Sequence, residues 1–138
     1  MLNKDIFLSI KPEYTEKIEN RTKPYELRNI NSRYNIDKFY IYESAPISSL
    51  TYIAEVGEPI IYPDKINEYG SEAERFNRGL SKYKKAFPIL HLWKLEKPIH
   101  LEILKNEFNF NAPQGFIYSD TYELLTNHII GLQKHQIF

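Results

Sequence analysis

The sequence predicts an α+β domain built on a small mixed β-barrel of five to six strands flanked by short helices. Three observations predict it. Short segments rich in β-branched and aromatic residues alternate in period two, as half-buried strands do. These segments are spread along the whole chain, with helical periodicity confined to brief stretches between them. No repeat, low-complexity tract or linker rich in Pro, Gly or Ser divides the 138 residues, so residues 1–138 read as a single domain.

The elements follow in order. DIFLSIK (5–11) sets Ile6, Leu8 and Ile10 against Asp5, Phe7, Ser9 and Lys11, a strand with one strongly apolar face. Pro12 opens a helix, as Pro does well in a first turn, with Tyr14 and Ile18 forming one apolar stripe. This helix is expected to cap one end of the barrel. Lys23-Pro24 ends it, because the residue before Pro avoids the helical region. PYELRN is the second strand, and NINSRYNID is polar and turn-like. KFYIYES (38–44) is the third strand, with APISS as a connector. LTYIAEVGEPIIY (50–62) is the fourth, bent at Gly57 and Pro59. Residues 64–85 are polar and read as helical, with Phe76 and Leu80 at i, i+4. FPILHLWKLEKPIHL is a strand interrupted at Pro98, and FNFNAPQGFIYS is a loop with a short strand. Ser119 or Asp120 caps a last helix, SDTYELLTNHIIGL, with Asp120 and Glu123 at capping-box spacing.

Composition excludes several kinds of chemistry. The chain has no cysteine, so thiol catalysis, disulfides and cysteine-ligated metals are ruled out. The four histidines show neither HxxxH nor HExxH spacing, and the five glycines form no nucleotide-binding loop. No metal and no cofactor is expected. Formal net charge is zero, so any nucleic-acid binding must come from a local patch. No apolar run approaches the roughly 20 residues of a membrane span, and MLNKDIFLSIKP lacks a signal peptide's apolar stretch. A cytoplasmic protein with no membrane partner is expected. Aromatic residues make up 14 %, with 11 tyrosines, which suits half-buried surfaces and stacking platforms.

Two stretches carry candidate chemistry. RFNRGLSKYKK (75–85) offers Arg75, Arg78, Lys82, Lys84 and Lys85 with no acid between them, interleaved with Phe76 and Tyr83. It is either a solvated helix face or a contact for a phosphate backbone. IENRTKPYELRNI (18–30) brings Lys23, Glu26 and Arg28 together, with Glu26 and Arg28 alternating against Tyr25 and Leu27. Such a strand is either a surface ion-pair set or the floor of a polar pocket. The strands ending in LSIKP and YIYESAP, with Lys11 and Ser44 at their ends, converge on the same mouth if it is a pocket.

LSIKPEYTEKIENRTKPYELR (8–28) resembles the opening of an ASCH domain, a branch of the PUA-like superfamily. The signature there is a Gly, a Lys two on, a Glu three further and an Arg two after that. Lys23, Glu26 and Arg28 match in type and spacing, and Arg21 stands where the glycine is expected. KFYIYESAPISSLTYIAEVGEPI resembles the family's strand, Ser/Pro connector and strand. FPILHLWKLEKPIHL and APQGFIYS resemble its later strand and closure. The resemblance covers nearly the whole chain and is weakest over 64–85.

The resemblance implies a β-barrel with a cleft beside the first helix, where related PUA-like domains bind RNA or read modified bases. Lys11, Lys23 and Arg28 would then supply positive charge. Glu26 would meet the base edge or fix Arg28, and Tyr42, Phe116 and Tyr118 are stacking candidates. RNA or another nucleic acid, or a modified nucleobase, is the expected partner. The alternative is a small hydrolase using Lys23 and Glu26, either a ribonuclease or an amidohydrolase on acylated nucleosides. In the amidohydrolase pattern a threonine falls where this chain has Glu26, and the nearest hydroxyl, Thr22, precedes the lysine. A carboxylate does not replace an alkoxide nucleophile.

Overall fold

The first strand, β1 (Asn3–Ile10), is buried on both faces, and the architecture follows from that. In the computed structural model, which describes residues 2–138, Ile6, Leu8 and Ile10 point into one apolar cluster and Phe7 into a second. The sequence pattern had placed Phe7 with the polar residues. It is instead fully buried among Tyr40, Phe110 and Tyr122.

The chain continues through α1 (Pro12–Glu19), β2 (Tyr25–Leu27), β3 (Asn35–Glu43), β4 (Ser49–Val56), β5 (Ile60–Ile61) and α2 (Ser71–Asn77). Then come β6 (Lys85–His100), α3 (Leu101–Phe108), β7 (Phe116–Tyr118), α4 (Glu123–Ile130) and β8 (Lys134–Gln136). Six strands hydrogen-bond in the order β2-β6-β4-β3-β1-β7, and β5 and β8 add to β6. The β1–β3 pair is parallel and the other pairs are antiparallel. The expected mixed α+β barrel of five to six strands is therefore present as a curled six-strand path with two short additions.

Strand alternation sorts the core into two layers. Phe39, Ile41, Tyr52, Ala54, Phe87 and Leu92 fill the inside of the curl with the inward face of β1. Tyr40, Tyr42, Leu50, Ile53, Leu95 and Ile99 face outward and are covered by Leu104 of α3 and by Leu125 and Ile129 of α4. Each fully buried side chain of this size contributes about 1.5–3 kcal/mol. α1 starts at Pro12, and its Ile18 enters the inner cluster, so the helix plugs that cluster as expected. Its buried positions are Thr15 and Ile18; Tyr14 faces outward.

Three local expectations are corrected. Residues 64–85 are not one helix: α2 covers only Ser71–Asn77, and the chain turns at Gly79 with φ 74°. A Cβ at Gly79 would lie 2.4 Å from the Tyr62 hydroxyl oxygen, so any other residue would be strained and would have to displace the Tyr62 ring. Pro98 does not interrupt β6. It lies between the register points Lys94 and Ile99, where the pairing with β4 is irregular and no ladder bond needs its N–H. Neither Ser119 nor Asp120 caps α4. Residues 119–122 form a 3-10 turn, and the Asp120 carboxylate is taken by Lys4 at 2.5 Å.

Candidate nucleic-acid interface

The curl is not closed by backbone bonds between β1 and β2, and the opening there is a cleft of about 510 Å³. β7 pairs β1 only from Ile6 to Leu8. Beyond that point Arg28, just past β2, donates from Nη2 to the Ser9 carbonyl at 2.8 Å and bridges the gap. β2 itself hangs on the start of β6, with Tyr25, Glu26 and Leu27 opposite Pro88, Phe87 and Ala86. Leu27 packs with Ile66, Ala73 and Phe76 beneath α2, and Tyr25 lies against that cluster. Glu26 and Arg28 take the other face and line the cleft together with Lys23.

The turn before β2 aims Lys23. Arg21, at the position where the family signature has glycine, has φ 67°, the left-handed backbone that glycine adopts freely. Its guanidinium lies over the Phe138 ring, 4.3 Å from the centroid. Such a contact is worth about 0.5–1 kcal/mol, which offsets part of a backbone strain of about 1–3 kcal/mol. The left-handed turn is thus made with an arginine at this position.

The floor of the cleft is a chain of charges. Lys23 is 4 % exposed, and its Nζ donates to Glu72 Oε1 at 2.6 Å and lies 3.5 Å from Glu26 Oε1. Arg28 Nη2 lies 3.5 Å from Glu26 Oε2. Glu26 is 5 % exposed, and its Oε2 has no hydrogen-bond donor. The Tyr69 hydroxyl donates to Glu72 Oε1 at 2.8 Å. Burial, and then this bond to a carboxylate, pushes the Tyr69 pKa well above the ordinary tyrosine value, so the hydroxyl stays a donor. Lys11, Arg75 and Lys82 line the mouth and are exposed, and Tyr14 and Tyr83 contribute aromatic surface. Among these lining residues five cations face two carboxylates, in a chain whose formal net charge is zero.

The remaining candidates lie elsewhere. Tyr42 is buried against Phe110 in the outer layer, because its position on β3 points away from the curl's interior. Ser44 lies outside the cleft lining and donates its backbone N–H to the Ile10 carbonyl. Phe116 and Tyr118 pack against the inner cluster from β7, and the Tyr118 hydroxyl lies 3.0 Å from Ser32 Oγ. Of the basic stretch, Arg78 pairs with Glu74 on the exposed side of α2. Lys84 Nζ is bound to the Gly79 and Ser81 carbonyls, and Lys85 Nζ to that of Ile30. Sequence reasoning missed Glu72 and Tyr14, and named Tyr83 only as part of the basic stretch. Glu72 lies in the region where the resemblance is weakest. Tyr14 was read as core because its spacing from Ile18 fits a buried stripe.

No family model and no curated protein matches the chain. Solved structures do. The crystal structure of ASCH from Zymomonas mobilis superimposes with a TM-score of 0.68 at 19 % identity, over 94 % of this chain and 96 % of that one. A tyrosine-to-phenylalanine mutant of that protein gives 0.64 at 20 % identity, over 94 % and 99 %. A serine-to-alanine mutant gives 0.61 at 22 %, over 90 % and 96 %. At such identities the likeness is one of fold, and it spans nearly the full length of both chains.

Proposed function

We propose that this protein, which carries the ASCH-type, PUA-like fold, is a nucleic-acid-binding module that takes a nucleobase of RNA, or a modified base, into the cleft between β1 and β2. The observation that carries this reading is Glu26, a buried carboxylate among the residues that line the cleft, whose Oε2 has the Arg28 guanidinium 3.5 Å away and no hydrogen-bond donor. A buried acceptor without a hydrogen bond is costly, and a ligand N–H that reached this carboxylate would complete its bonding. The exocyclic amine of a base is such a donor. Arg28 beside it offers N–H groups to a base oxygen or ring nitrogen, Tyr14 and Tyr83 offer stacking surface, and Lys11, Arg75 and Lys82 suit a phosphate backbone.

The hydrolase alternative finds less support. Thr22 Oγ1 donates to Asn20 Oδ1 at 2.6 Å and does not line the cleft. Lys23 Nζ is engaged by carboxylates, so no lysine-activated hydroxyl is assembled. The test is a titration of short single-stranded RNA and DNA, and of free and modified nucleosides, run beside turnover assays on RNA and acylated nucleosides. Saturable binding without turnover is expected. Turnover that disappears in Glu26→Gln would replace this reading with a hydrolase using Glu26 as base.

A further inference from the structure

Lys23 is the most deeply buried cation of the cleft, yet its ammonium is already occupied. Glu72, the second residue of α2, reaches it at 2.6 Å, and Tyr69 holds the same carboxylate oxygen from the other side. Glu26 is farther away, at 3.5 Å. The helix that presents Glu72 is fixed by its buried Ala73 and Phe76. The inner part of the cleft therefore holds Lys23 and Arg28 against Glu26 and Glu72, a formal charge of zero. Lys11, Arg75 and Lys82, all exposed, leave the mouth at +3. The charge is layered, with a neutral polar floor below a cationic lip.

A nucleotide is layered in the same way, with a neutral heterocycle bearing amine donors and an anionic phosphate. We infer that Glu72 is a specificity-determining residue: by neutralising Lys23 it makes the floor refuse phosphate and imposes a base-inward, phosphate-outward orientation on the bound nucleotide. This rests on the nucleic-acid reading of the cleft. Without Glu72 the floor would carry a net positive charge and an ammonium open to any small anion, and phosphate would compete with the base for the deep position. A like charge at close range is an effective means of rejection in a partly desolvated site.

The experiment compares wild type, Glu72→Gln, Glu72→Ala and Tyr69→Phe, using inorganic phosphate, cytidine, adenosine and their 5′-monophosphates as probes. Affinity is measured by calorimetry and the Lys23 side-chain resonance is followed by NMR. Glutamine keeps an oxygen for Tyr69, which limits the risk to folding. Glu72→Gln is expected to bind inorganic phosphate about tenfold or more tightly than wild type, with a phosphate-dependent Lys23 shift that wild type lacks. Tyr69→Phe keeps the carboxylate and is expected to leave phosphate affinity close to wild type; Glu72→Ala removes the charge by a second route and decides the matter if Glu72→Gln does not fold. Unchanged phosphate affinity in folded Glu72→Gln or Glu72→Ala with nucleoside binding intact overturns the role of Glu72 alone. Failure of every protein to bind nucleosides and RNA overturns the nucleic-acid reading, and this inference with it.

Discussion

Replacing Glu26 by glutamine should weaken ligand binding while leaving the free protein about as stable as before. The carboxylate has two cationic neighbours, Lys23 and Arg28, each at 3.5 Å. At an effective dielectric of about 20, each contact is worth roughly 5 kcal/mol of attraction. Against this stands a desolvation penalty of several kcal/mol for each buried ion. The two terms nearly cancel, the desolvation of Oε2, which has no hydrogen-bond donor, being part of the second. Removing one member of a buried pair is normally damaging because the other charge is stranded. Here the damage is limited: Lys23 keeps Glu72 at 2.6 Å, and Arg28, which loses its carboxylate, keeps the Ser9 carbonyl at 2.8 Å and is partly exposed to water. The expected stability change is therefore within about 1 kcal/mol of zero. The affinity cost is about 1–3 kcal/mol, roughly five- to 150-fold in Kd. Urea denaturation and RNA titration on the same preparations read both quantities. A destabilisation above about 3 kcal/mol with unchanged affinity would show that Glu26 is a structural brace and not a ligand contact.

Three further outcomes are expected. Phe7→Ala removes a fully buried ring packed on Tyr40, Phe110 and Tyr122 and should cost about 3–5 kcal/mol by chemical denaturation; a loss under about 1 kcal/mol would mean that the outer layer does not hold β1. Neutralising Arg75 and Lys82 together should weaken binding about equally for all RNA sequences and lower the salt slope by nearly one unit per lost phosphate contact. Neutralising Arg78 and Lys84, which do not line the cleft, should do neither. Burial raises the pKa of Tyr40, Tyr52 and Tyr69, reinforced by Asp5, Glu19 and Glu72 respectively. The folded state thus holds these protons more tightly than the unfolded chain. Stability should be full below the ordinary tyrosine value near 10 and decline as pH rises above it. Denaturant midpoints that stay flat through that range would contradict the assignment.

The legible parts of the sequence were those set by local pattern. Pro12 at a helix start, the alternation of Glu26 and Arg28 against Leu27, and the bend after Val56 all depend on residues within one or two turns. The misread parts depend on distant partners. Asp120 looks like a cap until Lys4, 116 positions away, claims its carboxylate. Phe7 looks solvent-facing until α3 and α4 cover the outer side of β1. α3 was missed: Leu101, Leu104 and Phe108 stand at i, i+3 and i+7, but the preceding strand runs straight into the helix without a break. Within the cleft, β2 could be read from its charges, whereas Glu72 approaches from α2 and carries no local mark of its destination.

β6 pairs with β2 and β5 at its first residues and with β4 and β8 along the rest. Its two halves therefore experience different rates of opening. Along Ile89–Lys94 one edge is bonded to the eight-residue β4, and the amides that face it exchange with solvent only when that long pairing opens. At Lys85–Pro88 the neighbours are two strands of three residues or fewer, each of which can lift away alone. One continuous strand is thus held lightly opposite Glu26 and firmly opposite β4. A ligand that fills the cleft should slow deuterium uptake at Tyr25–Leu27 and leave the β6 amides that face β4 unchanged.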